Sequence, residues 1–139
     1  MKNAFDIIDH AADMGITAYG KDIKQLFSNA ALALFSLITD VRSIKEQLQH
    51  GVEINSENKD DLLVEWLNEL IYLFDANHLL FNHFEIESLS NNKLKATCYG
   101  EKFNPARHRI KIDVKAATYH MLKIVQDSEG YSAQVIFDI

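Results

Sequence analysis

The sequence predicts an α+β fold in which two main helices pack on one face of a mixed or antiparallel sheet. Three observations carry this expectation. Apolar residues recur at helical spacing in two segments, the rest of the chain alternates apolar and polar residues with period two, and turn residues separate the alternating runs. With 139 residues, 47% of them hydrophobic and 24% charged, the chain has the size and composition of one globular domain, residues 1–139, around one core.

Residues 5–8 and 14–19 read as two short strands, joined by His10-Ala11-Ala12-Asp13. From Asp22, an available N-cap, the period becomes helical: Ile23, Leu26, Phe27, Ala30, Leu34, Leu37 and Ile38 build a broad apolar face. Val52 and Ile54 alternate with Glu53 and Asn55 in a short strand. Asn58, Lys59, Asp60 and Asp61 then supply the cap and negative charge that open a second helix. Its buried stripe is Leu63, Trp66, Leu67, Leu70, Ile71 and Phe74, Glu65 and Glu69 lie outside, and Asn77 is the expected C-terminal turn residue. Ser90-Asn91-Asn92 separates two alternating runs as a β-hairpin would. Residues 110–124 keep one parity throughout, which predicts a long strand with a bend or bulge, with His120 on its apolar side. After the Ser128-Glu129-Gly130 turn a last strand runs to Ile139. Tyr19, Trp66, Tyr72 and the eight phenylalanines are assigned to the core.

Charge and motifs narrow the chemistry. Twenty acidic against fourteen basic residues give a net charge of -6, which argues against strong direct binding to nucleic acid. A lone cysteine, Cys98, supports neither an internal disulfide nor a zinc motif, and no segment has the apolar length of a signal peptide or membrane span, so a cytoplasmic protein is expected. P-loop, GxGxxG, HExxH and GxSxG motifs are absent.

Candidate chemistry therefore rests on scattered residues. Asp138 follows the apolar run Val135-Ile136-Phe137, where a carboxylate is costly unless exposed, paired or bound to a cation. If that strand end approaches Asp13, the two carboxylates with the main-chain carboxylate of Ile139 form an all-oxygen cluster suited to Ca²⁺ or Mg²⁺. The alternative is that Asp138 merely solubilises a frayed strand end. On pattern alone Asp13 reads first as a turn cap and His10 as a surface or hydrogen-bonded core residue, Lys115 and Tyr119 as a solvated strand face, and Arg107-His108-Arg109 as a solvated loop, with contact to a phosphate or an acidic partner as its alternative.

In order along the chain, these segments resemble the archease family. The likeness is carried by His10-Ala11-Ala12-Asp13 with Gly15 and Tyr19-Gly20, by Leu26-Phe27-Ser28-Asn29-Ala30-Ala31 with Thr39-Asp40, and by residues 61–70 with Trp66-Leu67-Asn68-Glu69-Leu70. It continues through Gly100-Glu101, Arg107-His108 and residues 114–120 to Val135-Ile136-Phe137-Asp138-Ile139. The resemblance implies a non-catalytic accessory protein of the GTP-dependent tRNA-splicing RNA ligase, promoting its guanylylation and turnover in tRNA splicing or RNA repair. It implies a divalent-cation site, Ca²⁺ first with Mg²⁺ or Mn²⁺ as alternatives, mapped onto Asp13, Asp138 and Ile139. His10, Lys115, Tyr119 and His108 are the matching candidates for a functional surface. Ala11 departs from the family's usual threonine and removes a hydroxyl that would support the site. Two other classes stay open: a small metal-dependent phosphoesterase or nuclease using the same carboxylates, and a general chaperone or interaction module.

Overall fold

In the computed structural model, which describes residues 4–9 and 13–139, helix α1 (Ile23–Ile38) is apolar over more than half of its circumference. Leu26, Phe27, Ala30, Ala31, Ala33, Leu34, Phe35, Leu37 and Ile38 are all buried, and Asp22 caps the start by accepting the Gln25 N–H at 2.8 Å. A helix that apolar needs cover on several sides.

Two antiparallel sheets provide it, where the sequence pattern suggested one. The first contains β1 (Phe5–Asp9), β2 (Asp13–Gly20), β6 (Ala116–Ala117), β7 (Lys123–Asp127) and β8 (Gly130–Asp138), in the order β1-β2-β8-β6 with β7 also on β8. The second contains β3 (Leu48–Asn55), β4 (Leu79–Leu89) and β5 (Lys93–Lys102), in the order β3-β5-β4. Helix α1 packs on β2 of the first and on β4 of the second, so it lies between them.

Helix α2 (Lys59–Asn77) closes the core beside α1. Asn58 Oδ1 accepts the Asp61 N–H at 2.9 Å, as the capping pattern predicts. The indole of Trp66, fully buried, donates to the Phe27 carbonyl at 3.0 Å and meets Phe84 edge-on, which ties α2 to α1 and to the second sheet. The helix ends one residue later than expected. Asn77 is still helical, and His78 takes the left-handed conformation (φ 59°) and donates its N–H to the Leu73 and Phe74 carbonyls. Tyr72 points away from the core and is 59% exposed, because it shares the outer face of α2 with Asp61, Glu65 and Glu69.

The hairpin around Ser90-Asn91-Asn92 forms as predicted between β4 and β5, with register shifts at Phe81/His83 and Ile86/Ser88. Burial pushes the Cys98 thiol within it up to about 12, which leaves an inert thiol. The predicted long strand over residues 110–124 does not form. Its first part is held by the end of α1: Lys111 N–H donates to the Ile38 carbonyl at 2.7 Å, and Thr39 Oγ1 donates to the Arg109 carbonyl at 2.7 Å. The remainder divides into the two-residue β6, a turn with Met121 at φ 53°, and β7, and this turn leaves His120 exposed instead of in the core. No helix among the described residues is long and apolar enough to cross a membrane.

Two glycines in the second sheet make opposite demands. A Cβ on Gly100 would stand 1.8 Å from the Leu80 carbonyl oxygen, whereas one on Gly51 would meet nothing within 4 Å. Gly100→Ala is expected to destabilise the fold by about 3 kcal/mol or more, and Gly51→Ala by no more than about 0.5 kcal/mol. Urea unfolding midpoints of the two variants check this.

Candidate functional site

Strands β2 and β8 pair antiparallel with Asp13 opposite Asp138, Met14 opposite Phe137, Ile16 opposite Val135 and Ala18 opposite Ala133. Ile16, Ala18, Ala133, Val135 and Phe137 are buried in the core, so the strand alternation puts Asp13 and Asp138 together on the opposite face. Directly opposed residues bring their Cβ atoms to about 4.5–5.5 Å, so two like charges meet at this end of the ladder. Gly15 leaves the space that Ile136 fills beside them: a Cβ there would come within 2.8 Å of Ile136 Cδ1 and 3.2 Å of Ile8 Cβ.

Asp13 Oδ1 is buried and has no hydrogen-bond partner. A bare buried carboxylate oxygen, on a residue whose opposed neighbour in the ladder is also a carboxylate, is unfavourable twice over, through lost hydration and through like charge. Both penalties vanish if a cation sits between the two groups, and an all-oxygen donor set is the chemistry a hard divalent cation takes. Among the described residues no cluster of three His, Cys, Asp or Glu side chains forms. The side chains of this strand end thus contribute two carboxylates, and further donors would be main-chain oxygens such as those of Ile139.

The segment 115–118 brackets Asp138 from the other side. Lys115 N–H donates to the Asp138 carbonyl at 2.8 Å, Ala116 stands opposite Asp138 in the register, and Thr118 donates to the Ile136 carbonyl from N–H at 3.0 Å and from Oγ1 at 2.8 Å. Asn68 of α2 holds this segment in turn, its side-chain amide bonding both the N–H and the C=O of Ala117. Sequence reasoning passed over Asn68. The available signal was a residue of poor helix propensity in the middle of a helix, between the buried Leu67 and Leu70.

The other sequence candidates are dispersed. His10 lies outside the described residues. Lys115 is exposed and reaches the acidic pair through its main chain. Tyr119 is 56% exposed but lies beyond β6, not on a strand face with Lys115. Its phenol is raised above the ordinary value by burial and by a hydrogen bond to Asp61 at the start of α2.

His108 is no surface residue. It is 3% exposed and faces Glu101, itself 3% exposed. His108 Nδ1 accepts the Asn104 N–H at 2.9 Å, which leaves Nε2 to donate to Glu101 Oε2, also at 2.9 Å. Arg107 pairs with the other oxygen of Glu101, and Lys45 N–H donates to Oε2 at 2.7 Å. Burial alone would raise the Glu101 carboxyl, but the Lys45 N–H, Arg107 and His108 outweigh it and hold the group at about 2. His108 is therefore committed inward, while Arg107 stays exposed in its loop with one guanidinium nitrogen paired to Glu101.

The fold and its acidic strand end define a class: a small α+β protein of two antiparallel sheets around a central helix, with paired carboxylates at one strand terminus. Residues 5–139 match the Archease protein family. The chain is 38% identical over 136 residues to the protein archease of Sulfolobus acidocaldarius, covering 97% of this chain and 98% of that one. It is 34% identical over 139 residues to the protein archease of Methanosarcina mazei, covering 97% and 95%. The solution structure of Methanobacterium thermoautotrophicum protein 1598 superimposes with a TM-score of 0.80 at 34% identity, over 98% of this chain and 99% of that one. The crystal structure of an archease, possible chaperone, from Thermotoga maritima shares the fold with a TM-score of 0.66 at 22% identity, over 95% and 94%. The chain belongs to the archease family.

Folding lowers the Glu101 pKa from 4.5 to about 2, so its contribution to stability is complete above the ordinary value and is lost as pH falls through that window. Glu101→Gln is expected to cost about 3 kcal/mol at neutral pH, by leaving Arg107 and the Lys45 N–H poorly matched. The gap to wild type should narrow between pH 4.5 and about 2, as the wild-type carboxyl takes up its proton. Thermal unfolding of both proteins across that range measures it.

Proposed function

We propose that this chain is an accessory protein that activates a GTP-dependent RNA-splicing or RNA-repair ligase, and that it does so through a divalent-cation site formed by Asp13, Asp138 and Ile139. The observation that carries the reading is the opposed pair Asp13 and Asp138 with its buried, unpartnered oxygen, in a chain that matches the archease family over residues 5–139. A divalent cation held there would supply concentrated positive charge where the partner handles GTP and its metal ions. The chain's own residues do the rest. Asp13 and Asp138 accept the charge, the β2–β8 ladder fixes their separation, and Lys115 N–H holds the main chain of Asp138 in place. The net charge of -6 suits a partner with a basic RNA-binding surface and does not call for RNA binding by this chain.

The phosphoesterase reading has less support. Two of the candidate side chains for a general acid or base are turned elsewhere: Tyr119 towards Asp61, and His108 into the Glu101 pocket. The Thermotoga maritima relative is described as a possible chaperone. A chaperone role for this chain predicts no dependence on Asp13.

The test is guanylylation of a cognate ligase from radiolabelled GTP under multiple-turnover conditions. Wild type is expected to stimulate it, Asp13→Ala and Asp138→Ala to stimulate at least tenfold less, and this protein with Mg²⁺ or Mn²⁺ alone to leave RNA uncut. Equal stimulation by wild type and both variants would remove the acidic pair from the mechanism.

The like charges also bear on stability. Without divalent cation, Asp13→Asn is expected to stabilise the fold by up to about 1 kcal/mol, and Ca²⁺ should raise the unfolding temperature of wild type but not of the variant. Calorimetric melting with EDTA and with Ca²⁺ distinguishes the two states.

A further inference from the structure

Asn68 lies midway along α2 on the side that meets β6, and its amide bonds that strand as a neighbouring strand would. Nδ2–H donates to the Ala117 carbonyl at 3.1 Å, and Oδ1 accepts the Ala117 N–H at 2.8 Å. A two-residue strand is too short to hold its place by pairing alone. Ala117 is 5% exposed, so its polar groups would be costly to leave bare if the amide were removed. Towards β8, Lys115 and Thr118 bond the carbonyls of Asp138 and Ile136. Asp138 thus stands between β2, which carries Asp13, and β6, which is fixed by Asn68.

We infer that Asn68 is a positioning residue for the Asp13 and Asp138 cation site: its amide clamps β6, and β6 sets where Asp138 stands opposite Asp13. This role rests on the proposed cation binding at that strand end. It also gives a task to Asn68 within the Trp66-Leu67-Asn68-Glu69-Leu70 segment.

The experiment is Ca²⁺ titration by calorimetry on the full chain, with wild type, Asn68→Ala, Asn68→Gln and Asn82→Ala. Asn82 is the matched control, since its Nδ2 donates to the Val41 and Ile44 carbonyls at 3.0 and 2.9 Å from the second sheet. Asn68→Ala is expected to weaken Ca²⁺ binding by about tenfold or more, and Asn68→Gln, which displaces the amide by one methylene, by a smaller factor. Asn82→Ala should lower thermal stability and leave Ca²⁺ affinity unchanged. Wild-type affinity in both Asn68 variants, or equal weakening by Asn82→Ala, overturns the positioning role and leaves the cation site standing. If Asn68→Ala does not fold, Asn68→Gln decides on the same terms. No binding of Ca²⁺, Mg²⁺ or Mn²⁺ by wild type overturns the cation reading itself, and the role of Asn68 with it.

Discussion

The rest of the structure depends on burying α1. Its apolar surface is too wide for one sheet to cover, so the chain splits its strands into two sheets with the helix between them, and α2 seals the remaining side. Trp66 sits where these parts meet. Its indole hydrogen bond to Phe27 satisfies a donor that would otherwise be stranded in the core, and its ring packs on the second sheet.

Within the first sheet, β8 organises everything near the acidic pair. One of its edges pairs with β2 along the whole strand, and the other is shared by β7 at its start and β6 at its end. This division lets a tightly packed ladder end in two opposed carboxylates. The core-facing residues Phe137 and Val135 supply the packing that holds the register, and the unfavourable pair sits at the terminus, where it interrupts nothing. A local conflict held in place by a stable framework is the pattern expected of a functional site.

The Glu101 network shows the contrasting use of charge. Here one carboxylate is surrounded by a guanidinium, an imidazole and a main-chain N–H, and every group has a partner. It ties β5 to the chain just after α1 and to the loop around Arg107, which contain most of the irregular backbone between the two sheets. Here the charge is satisfied on every side, whereas Asp13 Oδ1 is buried without a partner.

The sequence by itself determined most of the elements outside residues 110–124. Asp22 and Asn58 announce both helix starts, the turn residues announce the hairpin and the last strand, and period two marks most of the strands, because these features depend on contacts within a few residues. It also singled out Asp138, since a carboxylate closing an apolar strand is anomalous in any fold, whereas Asp13 read as a turn residue until the family resemblance joined the two. Only the tertiary structure decided how the pieces combine. The parity of residues 110–124 mimics a strand, but the Ile38 carbonyl at the end of α1 takes the Lys111 N–H, a competition between segments far apart in the chain. His108 reads as surface in a basic tripeptide until Glu101 is placed against it, and Asn68 has no visible task until β6 lies beside it. Each of these residues takes its role from a partner distant in sequence, and local pattern carries no information about which distant groups a fold will bring together.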